Sequence, residues 1–305
     1  MSEITSILCA VDFSEYSERA LAYAMRVAVG YGAKLLVLHV MPPFQPAVTD
    51  AIAVDNRELT ERNLHELIAR RRLPAADIET LLVESTDPPQ RILECAEAFE
   101  CDLIVTGSHG RGGAPLVLLG SVVEALLHRS SLPMLIVPKD LNRLADHSAV
   151  FSQIICAIDF SMASLNALAL ALAMAQEGGS HLTLLHIVDT PPELSHAPLP
   201  LDRFVAPLRA QVKASALQHL RGLVPARTTD SFRVDANVLE GGVAKQVLRV
   251  ARQTQADLIV MGVHGRNVFD LAFFGSNSKD VIRQATCPVL IVPALRRSDA
   301  SKQAS

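Results

Sequence analysis

A glycine-rich pattern that suits a phosphate-binding loop occurs twice in the chain. The first copy is Gly107-Ser-His-Gly110, followed after nine residues by Gly120-Ser121, and the second is Gly262-Val-His-Gly265, followed after nine residues by Gly275-Ser276. Glycine lets the backbone approach a ligand closely, and a helix that begins after such a turn presents unpaired N–H groups to an anion. One G-x-x-G alone is weak evidence, because glycine pairs also mark ordinary turns. The recurrence of the whole spacing favours a ligand that carries phosphate groups.

An aspartate follows the first apolar run of each half of the chain. Residues 7–11 end at Asp12-Phe-Ser14, and residues 154–158 end at Asp159-Phe-Ser161, which is the same segment displaced by 147 residues. An aspartate carboxylate suits a ribose hydroxyl or a ligated cation. Together with the glycine patterns, the two aspartates predict a nucleotide with several phosphates as the ligand.

The elements that must position these residues alternate between strand and helix. The first half predicts strands over 7–11, 34–40, 78–83, 102–106 and 132–138, and helices over 15–30, 58–71, 90–99 and 122–129. The second half predicts strands over 154–158, 181–187, 232–238, 257–261 and 287–293, and helices over 164–177, 204–220, 244–253 and 279–285. This alternation is typical of a mostly parallel sheet with helices on both faces, and right-handed crossovers make it doubly wound.

Ligands of a doubly wound sheet bind beyond the carboxyl ends of the strands, where the strand order reverses. Asp12 and Gly107 end strands one and four of the first half, so both face one crevice if those strands are neighbours. The same reasoning applies to Asp159 and Gly262 in the second half. We predict domains over residues 1–140 and 154–295, a polar linker over 141–153 and a disordered tail over 296–305.

The composition limits the class of protein. A chain of 305 residues with 50% apolar residues suits two domains, and 4% aromatic residues with no Trp predict aliphatic cores. No apolar run reaches the roughly 18 residues of a membrane span, and a net charge of −4 gives no support to a nucleic-acid partner. The start of the chain lacks the basic and apolar regions of a signal peptide, which predicts a cytoplasmic protein. Five cysteines without metal-ligand spacing predict reduced, structural thiols.

The repeated glycine patterns and the two aspartates resemble the ATP-binding class of the universal stress protein family, in a tandem two-domain form. The family pattern G-2x-G-9x-G-(S/T) is matched twice, and the family's strand-one aspartate corresponds to Asp12 and Asp159. The resemblance implies an α/β fold of two doubly wound, parallel, five-stranded sheets with strand order 3-2-1-4-5, the adenine nucleotide alpha hydrolase-like arrangement. It also implies ATP in the crevice of each domain, with any Mg²⁺ held through the phosphates and no metal ligand from the protein.

The resemblance also implies which residues contact the nucleotide, with the residues that end strand two against the adenine. In the first half these are Val11, Asp12, Val40, Thr106, Gly107, His109, Gly110, Arg111, Gly120, Ser121 and Val122. In the second half they are Ile158, Asp159, Ile187, Met261, Gly262, His264, Gly265, Arg266, Gly275, Ser276, Asn277 and Ser278. The family further implies that the two closing strands, 134–137 and 289–292, pair antiparallel within one chain and that the chain forms a homodimer.

Two departures from the family pattern make the halves unequal. Many members carry Gly-x-Pro before the third helix, where the first half has Thr86-Asp87-Pro88 and the second has Gly241-Gly242-Val243. Members often place a hydroxyl two positions after Gly-Ser, where the second half has Ser278 and the first has Val123. We expect both sites to bind ATP, the second at least as tightly as the first.

An enzyme and a nucleotide-free scaffold are the rival readings. The chain contains no G-x-x-x-x-G-K-[ST] loop, no G-x-S-x-G elbow and no H-E-x-x-H pair. His109 and His264 recur in the glycine loops, where a histidine could meet a phosphate or act as a general base, and Arg111 and Arg266 could reach a terminal phosphate. We assign no catalytic residue and keep slow ATP hydrolysis open. The intact pattern in both halves argues against a scaffold that binds no nucleotide.

Overall fold

The computed structural model describes residues 4–43, 50–71, 77–110, 119–138, 141, 150–188, 199–225, 232–263 and 276–294. The chain forms two compact units, Ser2–Lys139 and Asp140–Ser305. Within the described ranges, no helix is long and apolar enough to cross a membrane. Most of the predicted linker and all of the predicted tail lie outside these ranges, so the predicted domain boundaries stay predictions.

The first unit contains a five-stranded parallel sheet with helices between its strands. In chain order its elements are β1 (Ser6–Ala10), α1 (Glu15–Tyr31), β2 (Lys34–Met41), α2 (Asp50–Ala69), β3 (Ile78–Glu84), α3 (Pro88–Ala98), β4 (Leu103–Gly107), α4 (Ser121–Arg129) and β5 (Met134–Val137). The strand order is β3-β2-β1-β4-β5, and the neighbouring strands run parallel. This confirms the predicted order 3-2-1-4-5.

The second unit repeats this arrangement. Its elements are β6 (Gln153–Ala157), α5 (Met162–Gly178), β7 (His181–Val188), α6 (Leu199–Gly222), β8 (Val234–Glu240), α7 (Val243–Gln253), β9 (Leu258–Val263), α8 (Ser276–Gln284) and β10 (Val289–Pro293). The strand order is β8-β7-β6-β9-β10, again parallel throughout. When the strands are numbered from first to fifth within the unit, their order is again 3-2-1-4-5.

Aliphatic side chains form the core of each sheet, as the low aromatic content predicted. Ile7 and Leu8 in β1 and Ile104 in β4 are completely buried. Strands covered by helices on both faces are apolar on both faces, which explains why their sequences are continuous apolar runs. β3 and β8 stand at the end of the strand order in their units and leave several side chains half-exposed. Alternating apolar and polar residues in both strands are typical of such an edge position.

Capping residues fix the ends of the first helix in each unit. The hydroxyls of Ser14 and Ser161 each accept a hydrogen bond from the N–H three residues further on. Gly32 and Gly179 end the helices in the left-handed conformation, with φ of 63° and 60°. α1 therefore continues through Gly30, where the sequence predicted its end, and stops at Gly32.

The helices that precede the edge strands are longer than predicted. α2 begins at Asp50 and not at residue 58, and α6 covers Leu199–Gly222 where 204–220 was expected. Both helices have a weak apolar periodicity, and α6 contains Pro207. Periodicity is the main sequence signal for a helix, so their first turns escaped detection.

All five cysteine thiols are buried and none forms a disulfide. Burial raises the pKa of Cys9 and Cys156, which occupy matching positions in β1 and β6, far above the ordinary value. Burial likewise raises the pKa of Cys287 to about 12, and it raises those of Cys95 and Cys101.

We expect the native thiols to react with a disulfide reagent far more slowly than the same thiols in denaturant, because the thiolate is the reactive form. Denatured protein should release five equivalents of the coloured product, one for each cysteine. The measurement is a time course with an aromatic disulfide at mildly alkaline pH, with and without denaturant. A fast native phase of even one equivalent would contradict the buried positions.

Candidate functional site

A hydrogen-bonded turn joins β1 to α1 at the carboxyl edge of the first sheet. Oδ1 of Asp12 accepts from the Ser14 N–H at 3.0 Å and from the Ser14 hydroxyl at 2.6 Å. The Ser17 hydroxyl accepts from the Asp12 N–H at 3.2 Å and donates to the Ser14 carbonyl at 3.0 Å. Such aspartate turns bond the side chain to its own backbone two residues on, so they fix the direction of the carboxylate.

The second unit contains the same turn between β6 and α5. Oδ1 of Asp159 accepts from the Ser161 N–H at 2.9 Å. The Ser164 hydroxyl accepts from the Asp159 N–H at 3.3 Å and donates to the Ser161 carbonyl at 3.0 Å. The repeated Asp-Phe-Ser sequence is therefore also a repeated geometry.

In each unit a phenylalanine ring and a histidine ring pack together beside the turn, a contact that the sequence did not predict. Phe13 and Phe160 have φ of 61° and 64°, in the left-handed region that residues other than glycine rarely adopt. Each phenylalanine ring packs on a second-strand histidine, His39 or His186, with ring centroids 4.7 Å apart in both units. Nδ1 of each histidine lies 2.7 Å from the carbonyl oxygen of the residue before the aspartate. Both histidines are therefore packed and hydrogen-bonded within the fold.

The second glycine of the first loop lies against the aspartate. A Cβ at position 110 would stand 2.7 Å from Oδ2 of Asp12, so a side chain at Gly110 would displace the carboxylate. β1 and β4 are neighbours in the sheet, with Cys9 opposite Val105. Asp12 and Gly110 therefore face each other at the point where the strand order reverses, as the strand order led us to expect.

The pair Gly120-Ser121 opens helix α4, as predicted. The Gly120 N–H donates to the Ser108 carbonyl at 3.0 Å, and a Cβ at this position would lie 3.3 Å from Cα of His109. No side chain of the described residues caps this helix start. The N–H groups of the first turn, which have no partner within the helix, thus lie beside the glycine loop, with the exposed Ser121 next to them. This is an arrangement that suits an anion.

The first glycine of each motif has a packing role. A Cβ at Gly107 would stand 2.8 Å from the backbone carbon and 2.9 Å from the Cβ of Tyr16. At Gly262 it would meet the backbone of Ala163 and Ser164 at still shorter range. The end of the fourth strand therefore passes so close to the first helix that only glycine fits. The sequence interpretation considered a ligand or an ordinary turn for these glycines and did not foresee this packing contact.

His109 contributes two ring contacts and one buried nitrogen to the loop. Its Nδ1 lies 2.9 Å from the Ser108 hydroxyl, and its ring centroid is 5.3 Å from that of Tyr16. Its Nε2 is buried and has no hydrogen-bond partner among the described residues. Buried polar atoms normally have a partner.

The other predicted site residues differ in exposure. Buried residues are Val11, Thr106, Ile158, Ile187, Met261 and Ser278; half-exposed ones are Val40, Val122 and Gly262; Ser276 and Asn277 are exposed. Arg111, His264, Gly265, Arg266 and Gly275 lie outside the described residues. The geometry of the second glycine loop accordingly stays a prediction. Among the residues that the structure describes, no three histidine, cysteine or acidic side chains cluster closely enough to hold a metal ion.

The two units differ at the start of the third helix. Oδ1 of Asp87 accepts from the Gln90 N–H at 3.2 Å and its Oδ2 accepts from Arg129 at 3.0 Å. The Gln90 bond first, and then the Arg129 bonds, hold the pKa of Asp87 below its usual range. This contribution to stability is present at neutral pH and is lost as the pH falls through the lowered pKa. The matching N-cap of α7 is Gly242, preceded by Gly241 with a φ of 113°.

Comparison with known proteins identifies the family. The model of the universal stress protein family matches residues 3–138 and 151–293. The chain belongs to the universal stress protein family. A universal stress protein of Mycolicibacterium smegmatis is 29% identical over 94% of this chain and 96% of its own length. One from Thermus aquaticus is 34% identical over 47% of this chain and 99% of its own length.

A solved structure supports the fold over the whole length. The universal stress protein from Archaeoglobus fulgidus superimposes with a TM-score of 0.68 at 23% sequence identity, covering 96% of this chain and all of that one. The relative from Thermus aquaticus matches about half of this chain over nearly its whole length, and the relative from Mycolicibacterium smegmatis matches nearly all of this chain. The chain is therefore a universal stress protein with two family domains in tandem.

Proposed function

We propose that this universal stress protein binds ATP at the glycine loops of both domains and acts as a nucleotide-dependent regulator of the stress response. The observation that carries the proposal is the meeting of three groups in the first unit. Asp12, Gly110 and the start of α4 at Gly120 lie at one edge of the sheet, at its switch point. The carboxylate would accept a hydrogen bond from a ribose hydroxyl, and the helix start would bind the phosphates. The unpartnered Nε2 of His109 gives a ligand one further hydrogen-bond position.

The second domain supports the same proposal through the residues that are described. Its aspartate turn repeats that of the first unit, β6 and β9 are neighbours, and α8 begins at Ser276. We keep the proposal that this site binds at least as tightly. The start of its third helix carries Gly241-Gly242 in place of Asp87, and Ser278 supplies a hydroxyl in the first turn of α8 where the first unit has Val123.

Magnesium would accompany ATP through the phosphate oxygens. No other resident metal is needed for the binding proposed here. The described carboxylates that the fold brings to the switch points, Asp12 and Asp159, are already oriented by the serines that follow them. Their role would be to hold the nucleotide, with the ion as a charge partner of the phosphates.

Two rival functions predict different contents of the purified protein. Denaturing the protein and identifying the released small molecules by mass spectrometry separates them. ATP or ADP in the released fraction supports the regulator. ATP that is converted to ADP or AMP over hours favours a slow hydrolase. Protein that is empty, and stays empty after incubation with ATP, favours a scaffold and contradicts the proposal.

Replacing Asp12 with asparagine should weaken ATP binding at the first site about tenfold, because a hydrogen bond to a charged group is stronger by about 1.4 kcal/mol than a neutral one. Asparagine keeps an oxygen for the Ser14 N–H, so the turn itself should survive. Titration calorimetry measures the change as one weakened site out of two. Asp159→Asn should do the same at the second site.

Asp102→Asn is the matched control for this prediction. The Asp102 carboxylate accepts from the Thr5 N–H and hydroxyl and from the Ser6 N–H at 2.7 to 3.0 Å, at the amino end of the sheet. Its replacement should lower stability and leave ATP affinity unchanged. Equal losses of affinity in Asp12→Asn and Asp102→Asn would show that the carboxylate at the switch point has no special role.

The assembly and location of the protein remain proposals. We propose that the two closing strands pair within the chain, that the chain forms a homodimer and that it works in the cytoplasm. Light scattering coupled to size exclusion gives the mass in solution. A mass of two chains, about twice 32.9 kDa, supports the dimer, and a mass of one chain rejects it.

A further inference from the structure

A histidine in the second strand of each domain holds the carbonyl group that precedes the site aspartate. Nδ1 of His39 lies 2.7 Å from the Val11 oxygen, and Nδ1 of His186 lies 2.7 Å from the Ile158 oxygen. A backbone carbonyl can only accept a hydrogen bond, so Nδ1 must carry the proton in both residues. The contact therefore fixes the tautomer of each ring as well as the position of each carbonyl.

The phenylalanine after the aspartate packs on the same histidine. Phe13 and Phe160 hold a left-handed backbone conformation that is unfavourable for residues with a bulky side chain. Their rings pack against the same histidines at 4.7 Å in both units. In the second unit the exposed His219 of α6 also stacks on Phe160, with centroids 4.5 Å apart and planes 5° from parallel. A strained turn persists only where its surroundings hold it in place.

The site carboxylate lies in the turn between the carbonyl group that the histidine holds and the phenylalanine on which it packs. The histidine fixes the backbone on one side of Asp12 and packs on the residue that follows it. The left-handed turn then brings the Ser14 N–H to Oδ1 and leaves Oδ2 of Asp12 against Gly110. Moving the Val11 carbonyl would therefore move the carboxylate relative to the glycine loop. The second unit has the same histidine-to-carbonyl and ring-to-ring distances around Asp159.

We propose that His39 and His186 are positioning residues of the two nucleotide sites. Each aligns the site aspartate through the carbonyl group before it, and neither needs to touch the nucleotide. This inference rests on the proposed ATP binding for its effect on affinity. Its effect on the turn itself can be measured without any nucleotide.

Two substitutions separate positioning from simple packing. Asparagine places its N–H₂ group where Nδ1 stands in histidine, whereas glutamine places it near Nε2. His186→Asn should keep the hydrogen bond to the Ile158 carbonyl, and His186→Gln should lose it. Both remove the ring, so both lose the same contact with Phe160. His186 is half-buried, which makes these replacements easier to tolerate than at the buried His39.

The experiment compares wild type, His186→Asn and His186→Gln by two readouts. We expect His186→Gln to weaken ATP at one of two sites about tenfold, because a displaced Asp159 carboxylate loses its hydrogen bond to the nucleotide. His186→Asn should stay within about threefold of wild type on the same scale. The unchanged site in the first domain serves as an internal control for folding.

Hydrogen exchange in the peptide that covers residues 158–164 supplies the readout without nucleotide. Exchange should be faster in the glutamine variant and near wild type in the asparagine variant. In the wild type, ¹⁵N chemical shifts should show the Nδ1–H tautomer for both histidines. Equal exchange in the two variants, or an Nε2–H tautomer, would overturn the inference. If wild-type protein binds no ATP, the proposed function fails while the exchange comparison still decides the positioning role.

Discussion

Replacing Gly262 with alanine should destabilise the second domain by about 3 kcal/mol or more, the upper end of what overpacking costs. The new methyl group would lie against backbone atoms of Ala163 and Ser164, which cannot rotate away as a flexible side chain could. Gly107→Ala should cost less, about 1–3 kcal/mol, because its nearest backbone contacts with Tyr16 are longer. The order of the two losses follows from the geometry of the strand-to-helix contact.

Two spectroscopic signals can assign each loss to its domain. The three tyrosines, Tyr16, Tyr23 and Tyr31, all lie in the first unit, and the chain has no tryptophan. Tyrosine fluorescence therefore reports unfolding of the first unit, and circular dichroism reports both. Urea titrations should show a CD transition at lower urea for Gly262→Ala, with the fluorescence transition shifted far less.

Gly222→Ala provides the control for these stability measurements. Gly222 ends α6, and no heavy atom of the described residues lies within 4 Å of the place where its Cβ would stand. Alanine there should leave the unfolding transitions in place. Loss of stability in Gly222→Ala as large as in Gly262→Ala would mean that the close strand-to-helix contact is not the cause.

Replacing Gly120 with valine should weaken ATP binding at the first site by a factor of about 100 or more, so that binding there is no longer measurable. The reason is that phosphates bound at the start of α4 would lose several hydrogen bonds to a charged group together. A Cβ there would already be 3.3 Å from Cα of His109 and 3.5 Å from N of Gly110. The two further methyl groups of valine would occupy the space beside the glycine loop. Titration calorimetry should then find one ATP site in place of two.

Gly242→Val is a closely matched control for this variant. Gly242 is the N-cap of α7 with φ −64° and ψ 129°, nearly the conformation of Gly120 at φ −60° and ψ 140°. No heavy atom of the described chain lies within 4 Å of its Cβ position. Both variants therefore replace an N-cap glycine with valine, which is disfavoured at that position, in nearly the same backbone conformation. First-site affinity that falls equally in both would reject the phosphate position at Gly120.

The doubly wound class of the sheets was predictable from simple physical rules, whereas the strand order 3-2-1-4-5 was implied by the resemblance to the family. Apolar runs of strand length separated by helices allow few topologies, and right-handed crossovers restrict them to a doubly wound sheet. Parallel strands that are neighbours bring their carboxyl ends to the same edge. Once β1 and β4 are adjacent, the residues that end them must face each other.

The roles of individual residues were harder to predict because they depend on distances between elements. Nothing in the sequence distinguishes Gly107, which packs on Tyr16, from Gly110, which packs on a carboxylate. A phenylalanine at positive φ is rare enough that no pattern predicts Phe13. The available signal was the recurrence of phenylalanine and histidine in both halves, at 13 and 160 and at 39 and 186, always 147 residues apart.

The number of ATP molecules bound per chain tests the central claim most directly. Native mass spectrometry of the wild type and of the separate Gly120→Val and Gly275→Val variants gives this number. The two-site proposal predicts two nucleotides per wild-type chain and one per chain in each variant, with the other site filled normally. If Gly275→Val binds no ATP and the wild-type chain never binds more than one, the first domain does not bind ATP. A wild-type chain that binds no nucleotide at millimolar ATP would contradict the whole proposal.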